Sequence, residues 1–372
     1  MAPLATGPRV LVLGAGLAGG LLALALAERG ALVTLAGEPA AALGATAISY
    51  GGVPWWAGAD DPLGRMQSGA PQAWKALAAR HGDLGWRPAE LWLHGPRPAG
   101  DALPLPHAPA GTWLTSAEAR RREPLLALAD SDGVLVLPYG RLDPGALLAG
   151  LERCLPALGV SRCGLLQEPG ALAQARRSHD HTVLCAGAHG DRLLRQLDLP
   201  VPPGLAHSWA GVLIGRDRSL AAERIVMPLQ PRRPAREGAG AGVAAVLDAG
   251  LAPAPGGGLL LGQTSWFDRP LAPSAAADRA LLADAARLLL AGHDLDPALD
   301  LDRWTLQQRP VAFCRDGRPL VGPLEGAAGV SLFCGFAGPF ALVPVLAPLL
   351  AEAVVSGDLA PLQALGVLPA AR

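Results

Sequence analysis

From Val10 to Ala27 the chain runs eighteen residues without a charge, and the order inside that run decides what it builds. Val10 to Leu13 has the β-branched and leucine character of a buried strand. Gly14, Gly16, Gly19 and Gly20 then interrupt it, and Leu and Ala continue to Glu28 and Arg29 in a helical pattern. Gly30 is placed to end that helix, and Ala31 to Ala36 reads as a second short buried strand. By length alone the run qualifies as a membrane span. Strand, tight turn, helix, turn and strand in about thirty residues is instead a βαβ unit.

Further along, Gly44 to Trp56 (GATAISYGGVPWW) has no period and reads as a loop of small residues with paired tryptophans. Pro62 to Glu123 reads as helical pattern alternating with Pro-rich connections. Leu137 to Val160 reads as a strand end, a turn and an amphipathic helix, with Asp143 as N-cap and Pro144 at the first helical position. His181 to Gly190 is a short buried strand entering a glycine turn. Between Ala206 and Leu261, the runs WAGVLIG, RIVMPL, GVAAVLD and GLLLGQTSW are separated by Gly/Pro-rich turns, which predicts an antiparallel sheet. A helix is expected over about residues 275–291. A second long uncharged run begins at Gly329, but Gly335, Gly338, Pro339, Pro344 and Pro348 oppose one continuous helix. A strand, a glycine turn and a helix are expected there.

Composition narrows the picture. The chain has 372 residues, enough for two domains, and is 51% apolar and 17% charged, ample for a sizeable core. The 47 glycines and 36 prolines are spread among periodic segments rather than gathered in one disordered tract. A net charge of -1 supplies no general attraction to nucleic acid or anionic membrane. The basic cluster Arg232 to Arg236 is read as loop solvation. The five cysteines form no CxxC pair, no secretory signal is legible, and the histidines are scattered without metal-ligand spacing. The expectation is a cytoplasmic protein without a metal, its cysteines serving as small buried hydrophobes.

The chemistry begins at the first turn. In GxGxxG, Gly14 permits the tight turn, Gly16 lets a pyrophosphate approach the backbone, and Gly19 lets helix and strand pack closely. The amides of the helix start, from Leu17 and Ala18 onward, then face the phosphate charge. An acid usually ends the second strand and holds a ribose, but Gly37 occupies that position, with Glu38 next. Either Glu38 does this after a small shift of the turn, or the adenosine end is held differently.

GxGxxG at the N-terminus, GRLDP before a helix, TVLCAGAHG, DGRPLVGP and GFAGPF before a last helix follow one another along almost the whole chain. In that order they resemble the FAD-dependent D-amino acid oxidase, glycine oxidase and sarcosine oxidase superfamily, the DAO family. The resemblance implies an α/β fold. An FAD-binding Rossmann-like domain is assembled from discontinuous segments, and a mainly antiparallel substrate domain is set between them. The expected division is 1–75, 136–200 and 306–372 for the FAD domain, and 76–135 and 201–305 for the substrate domain. It also implies pyrophosphate contacts at Gly14, Gly16 and Gly19, and cofactor contacts at Thr46, Ser49, Gly51, Ala186 and Gly187. A reduced flavin carries negative charge near N1 and the C2 carbonyl, which backbone amides at a helix start stabilise. Gly335, Gly338, Pro339 and Phe340 are the candidates for that end.

An amine oxidase of this type needs no strong base when the substrate nitrogen is neutral, because hydride leaves carbon for flavin N5 and positioning does most of the work. A substrate carboxylate calls for an arginine fork. Arg309 resembles the arginine that some amino-acid oxidases use, although the segment to Asp316 is longer here. Cys314 raises covalent flavin attachment, as in sarcosine oxidases, but their cysteine falls closer to Arg309, so non-covalent FAD is expected. Tyr50, Trp55, Trp56 and His207 are further pocket candidates. The expected activity is oxidation of the C–N bond of a small amino acid or secondary amine. The alternatives are a dehydrogenase of a hydroxy acid or glycerol phosphate with a quinone or carrier acceptor, and a catalytically silent flavoprotein. The substrate is a small molecule in each active case, and no oligomer signal is readable.

Overall fold

In the computed structural model, which describes residues 7–38, 44–98, 107–164, 166, 168–216, 218–220, 223–237, 245–290 and 303–368, the N-terminal run folds as β1 (Arg9–Leu13), α1 (Leu17–Ala27) and β2 (Leu32–Ala36). β1 and β2 are parallel, from Arg9 opposite Leu32 to Leu13 opposite Ala36. Gly30, with φ +81°, follows the end of α1 in the left-handed conformation a side chain disfavours. A 3-10 turn (Ala45–Ile48) precedes α2 (Pro62–Gln67) and α3 (Ala70–His81). Then come β3 (Trp86–Pro96), β4 (Thr112–Thr115), α4 (Ser116–Arg122), β5 (Asp132–Leu142), α5 (Pro144–Ala157) and β6 (Ser161–Cys163). α6 (Pro169–Arg177), β7 (His181–Leu184), a 3-10 turn (Gly187–His189) and α7 (Gly190–Gln196) follow. The chain then builds β8 (Leu205–Gly215), β9 (Arg224–Pro228), α8 (Arg233–Glu237), β10 (Val246–Pro253), β11 (Leu259–Phe267) and α9 (Ala275–Leu289). It closes with β12 (Thr305–Cys314), β13 (Leu320–Pro323), β14 (Val330–Cys334), α10 (Pro339–Ser356) and α11 (Ala360–Ala364).

These strands make two sheets. The six-stranded sheet has the order β13-β14-β7-β1-β2-β6 and is parallel except for β13. The eight-stranded sheet has the order β12-β8-β11-β10-β9-β3-β5-β4 and is antiparallel except for the β3–β9 pair. The architecture is the α/β fold expected, one Rossmann-like sheet drawn from separated segments and one mainly antiparallel sheet.

Several local readings change. Pro62 to Glu123 is not helix and connection throughout, because β3 and β4 lie within it. β3 carries Leu91, Trp92 and Leu93 into the core. Its Pro88 precedes Glu90, where pairing with β9 begins, so the missing amide is needed by no second neighbour. Arg232 to Arg236 is no mere solvated loop: Arg233 opens α8 and pairs with Glu237 at 2.7 Å, and Asp248 accepts from the Arg232 and Arg233 amides. The first part of GVAAVLD lies outside the described residues, as does the expected end of the helix at 291.

The expected divisions also cut through elements. Position 305/306 falls inside β12, which pairs with β8 along its whole length and so belongs to the larger sheet. Position 135/136 splits β5, whose pairing with β3 continues to Leu142. Residues 76–81 complete α3, which packs on α10 beside the parallel sheet.

One described helix, α10, is long and apolar enough to cross a membrane, and 56% of that stretch is buried inside the protein. It packs against α1 and α3. The strand, turn and helix expected from Gly329 onward are all present. Pro344 and Pro348, however, sit inside α10 without ending it.

Candidate cofactor and substrate site

In the parallel sheet, β1, β7 and β14 point the same way, so the turns that follow them emerge together. Gly14, with φ +114°, is the meeting point of the first two. A Cβ there would lie 2.7 Å from the Cys185 carbonyl carbon and 2.9 Å from Ala186 Cα. Gly19 has no room either, since its Cβ would collide with the Gly14 carbonyl oxygen. Gly16 differs. A Cβ there would have one neighbour within 4 Å, Thr46 Oγ1 at 3.6 Å.

Gly16 is also the N-cap of α1 and brings no side chain to the first-turn amides. Those amides have no intrahelical acceptor, so they suit an anion. Leu17 N–H already donates to Thr46 Oγ1 at 3.3 Å, which places the loop of small residues against the helix start. Ala18 occupies the same first turn. A pyrophosphate fits this cradle. Space remains at Gly16, donors converge on it, and the other two glycines are consumed by packing.

Gly37 explains its own lack of a carboxylate. It has φ +150°, and a Cβ would lie 3.0 Å from the Ala15 amide nitrogen, so the end of β2 presses directly on the phosphate turn. Glu38, one residue later, is exposed.

The remaining predicted residues divide in the same way. Ser49 Oγ accepts from Gly51 N–H at 3.1 Å, closing its own turn. Gly51 has φ +72° and is buried against the Leu142 backbone, which forbids any side chain. Ala186 is half-buried beside Gly14, while Gly187 is exposed with open space around it. Gly335, with φ +75°, packs on Cys314, whose amide donates to its carbonyl at 3.1 Å. Gly338 caps α10 and Pro339 begins it. Phe340 is buried in the core cluster that holds Trp74, so it is the backbone there that borders the turn.

The larger sheet closes over this end. β12 lies against both 3-10 turns, 45–48 and 187–189. On the facing side, Ile48 packs with Ala210, Val212 and Leu260, and with Val311 and Tyr50 at the margin. Arg309 pairs with Ala210, and Ala210 with Ser265, so these three share that side of the sheet. Arg309 Nη1 donates to the Gln308 carbonyl at 2.8 Å. Tyr50 lies over the Gly250–Gly262 cross-strand pair; a Cβ on Gly250 would come within 3.0 Å of its ring. Burial, and next the charge of Asp248, push the Tyr50 hydroxyl well above its ordinary pKa, so it stays a protonated donor.

Trp55 and Trp56 share a second core cluster with Tyr50 and, like His207, lie outside the group around Ile48. Trp56 Nε1 donates to the Pro138 carbonyl, Trp55 packs between two core clusters, and the half-buried His207 contacts the Arg269 carbonyl. Arg315 pairs with Asp268 at 2.6 Å, and Arg318 with Asp61. No group of three potential metal ligands exists among the described residues. A separate cavity of about 430 Å³, bordered by Arg176, His179, Gln196 and Gly329, lies at the opposite end of the parallel sheet.

The sequence model of the FAD-dependent oxidoreductase family, DAO, matches residues 9–353. The chain belongs to that family. It is an FAD-dependent oxidoreductase by membership, and the cradle at Gly16 is where such a cofactor's pyrophosphate fits. Among solved structures, glycine oxidase from Bacillus cereus is similar at 16% identity and a TM-score of 0.67, covering 98% of this chain and 99% of that one. Iminodiacetate oxidase from Chelativorans sp. BNC1 is similar at 20% identity and 0.64, covering 95% and 98%. L-amino acid deaminase from Proteus vulgaris is similar at 14% identity and 0.65, covering 96% and 95%. These likenesses are of fold. No curated protein gives a significant match by sequence.

Tyr50, Trp55, Trp56 and His207 were legible only as residue types. What separates Tyr50 from the rest is its seat on two glycines that are twelve residues apart in sequence and opposite each other in the sheet. Ser265 and Ala210 carried no signal beyond strand alternation.

Proposed function

We propose that this DAO-family flavoenzyme oxidises the C–N bond of a small amino acid or secondary amine bearing a carboxylate. The observation that carries the reading is the place of Arg309: a guanidinium on the sheet face that looks toward the small-residue loop, beside Ala210 and within a largely apolar surface. A guanidinium on such a surface binds a carboxylate by a planar two-point contact and so sets the orientation of the carbon next to it. Glycine oxidase and iminodiacetate oxidase among the similar structures support this substrate class.

Bound FAD supplies the hydride acceptor. The chain's own residues do the rest. Gly16 and the first turn of α1 hold the pyrophosphate, and the turn from Gly335 to the start of α10 offers backbone donors to the pyrimidine end. Arg309 anchors the substrate, Tyr50 donates a hydrogen bond from its neutral hydroxyl, and Ile48 with Val212 excludes water. We assign the cofactor as non-covalent, since Cys314 is 2% exposed and its thiol is packed against Gly335. The five free cysteines agree with a reducing cytoplasm.

Anaerobic mixing of the purified protein with a library of amino acids and amines tests the activity. Bleaching of the flavin by a carboxylate-bearing amine, with peroxide formed once oxygen is admitted, is the expected result. Bleaching without peroxide would make the protein a dehydrogenase with another acceptor. No bleaching by any amine would remove the reading.

A further inference from the structure

On the side of the larger sheet away from Arg309, a buried carboxylate bonds to two strands across a third. Asp278, in the first turn of α9, is 0% exposed. Its Oδ1 accepts from Thr264 Oγ1 at 2.6 Å and from Trp266 Nε1 at 2.6 Å, both on β11. Its Oδ2 accepts from Gln308 Nε2 at 2.6 Å, on β12. Between those strands runs β8, and there Gly211 pairs with both Thr264 and Gln308. A Cβ on Gly211 would occupy the place of the carboxylate, 2.7 Å from Asp278 Cγ. The carboxylate therefore descends into a hole left by the glycine and reaches strands on either side.

Among the described residues no cation forms an ion pair with Asp278. Burying a charge among neutral donors is costly, and an apolar residue of the same volume would serve packing as well or better. The start of α9 offsets part of that cost through its dipole. What the carboxylate provides that an apolar residue cannot is register. The row it binds (Gln308, Gly211, Thr264) is one residue from the row Arg309, Ala210, Ser265 on the opposite face. Gln308 is the link: its side chain is held by Asp278 and by the Pro273 carbonyl at 3.0 Å, while its own carbonyl accepts from Arg309 Nη1.

We propose that Asp278 is a positioning residue for the substrate carboxylate: through Gln308 it fixes the strand and the guanidinium of Arg309. This deepens the assignment of Arg309 made above and rests on it. The test uses the flavin-loaded protein and compares sarcosine with its neutral amide, both titrated anaerobically and followed by calorimetry and by perturbation of the flavin spectrum. The native protein is expected to prefer the carboxylate. Asp278→Asn should weaken sarcosine binding by on the order of tenfold and leave the amide unchanged, since what is lost is the aim of a charge-assisted contact. Gln308→Leu, which leaves Asp278 with both β11 donors, should do the same even where the asparagine variant does not fold. Arg309→Ala is the control. If that control leaves the preference unchanged, or the native protein shows none, the arginine assignment and the positioning role both fail. If Arg309→Ala abolishes the preference while Gln308→Leu and any folded Asp278→Asn retain it, or weaken both probes alike, the positioning role alone is overturned.

Discussion

Trp74 Nε1 donates to the Phe340 carbonyl at 2.8 Å, and both residues are buried. Phe340 lies four residues before Pro344, so its carbonyl is the one that proline's missing amide leaves without a helical donor. The indole of α3 supplies that donor from a different helix. This is how α10 continues through a proline that local rules treat as a breaker, and it ties α3 to the turn at Gly338.

The pairing predicts a non-additive double mutant. Trp74→Phe should destabilise by about 1–3 kcal/mol for the orphaned carbonyl, beyond the cost of lost volume. Pro344→Ala restores an amide at position 344. It should recover part of the loss in the Trp74→Phe background and recover little in the native one. Urea denaturation of the four proteins measures this, and additive effects would show that the indole contact is incidental.

The glycines of the first turn should fail in different ways. Gly16→Leu is expected to fold and to lose FAD, because the side chain enters open space that the pyrophosphate needs. Gly19→Ala places a methyl against the Gly14 backbone and should cost about 1–3 kcal/mol or more of stability. Flavin fluorescence after denaturation, set beside thermal melts, separates the two outcomes. Stoichiometric FAD in Gly16→Leu would move the cradle elsewhere.

Arg309→Ala should lower kcat/KM for a carboxylate substrate roughly ten- to a hundredfold or more, as a charged hydrogen bond contributes about 1.5–3 kcal/mol. Bound flavin should be retained, since the cradle lies on other elements. Arg309→Lys should recover only part, because an ammonium cannot form the planar fork. Unchanged kinetics would point to an uncharged amine substrate.

Acid should weaken the fold through two histidines. Burial depresses His94 and His181 below the ordinary value of 6.5. The unfolded chain therefore binds protons first as pH falls. Stability is expected to be full above about pH 7 and to drop as pH passes 6.5 toward the folded-state values. His94 also contacts the Ala249 carbonyl at 3.2 Å, joining β3 to β10. Denaturant midpoints from pH 7.5 to about 5.5 should show the decline, and His94→Gln should flatten it. A slope that His94→Gln leaves intact would assign the effect to other groups.

Much of the first domain could be read along the chain. β1, α1 and β2 arise from contacts within about thirty residues, and Asp143 caps α5 as its position before Pro144 implies, accepting from Ala146 N–H at 2.8 Å. Gly14 and Gly19 could be picked out because GxGxxG is a local rule about how closely backbone can approach backbone. β3 could not, since its register comes from β5 and β9, which are distant in sequence. Nor could the place of Pro344 inside α10 be read locally, since the donor that satisfies Phe340 lies 266 residues away.

By itself the sequence determined the βαβ unit, the order of glycine turns and the family they resemble, because each depends on neighbours within a turn or two of chain. Only the tertiary structure decided that Gly37 and Gly51, outside the GxGxxG turn, leave no room for a side chain. The Ala15 backbone stands where a side chain on Gly37 would begin, and the Leu142 backbone where one on Gly51 would. It also decided which side of β12 is Arg309 and which is Gln308. Alternation separates the two along any strand, but the sheet's partners set which face meets the small-residue loop and which meets Asp278.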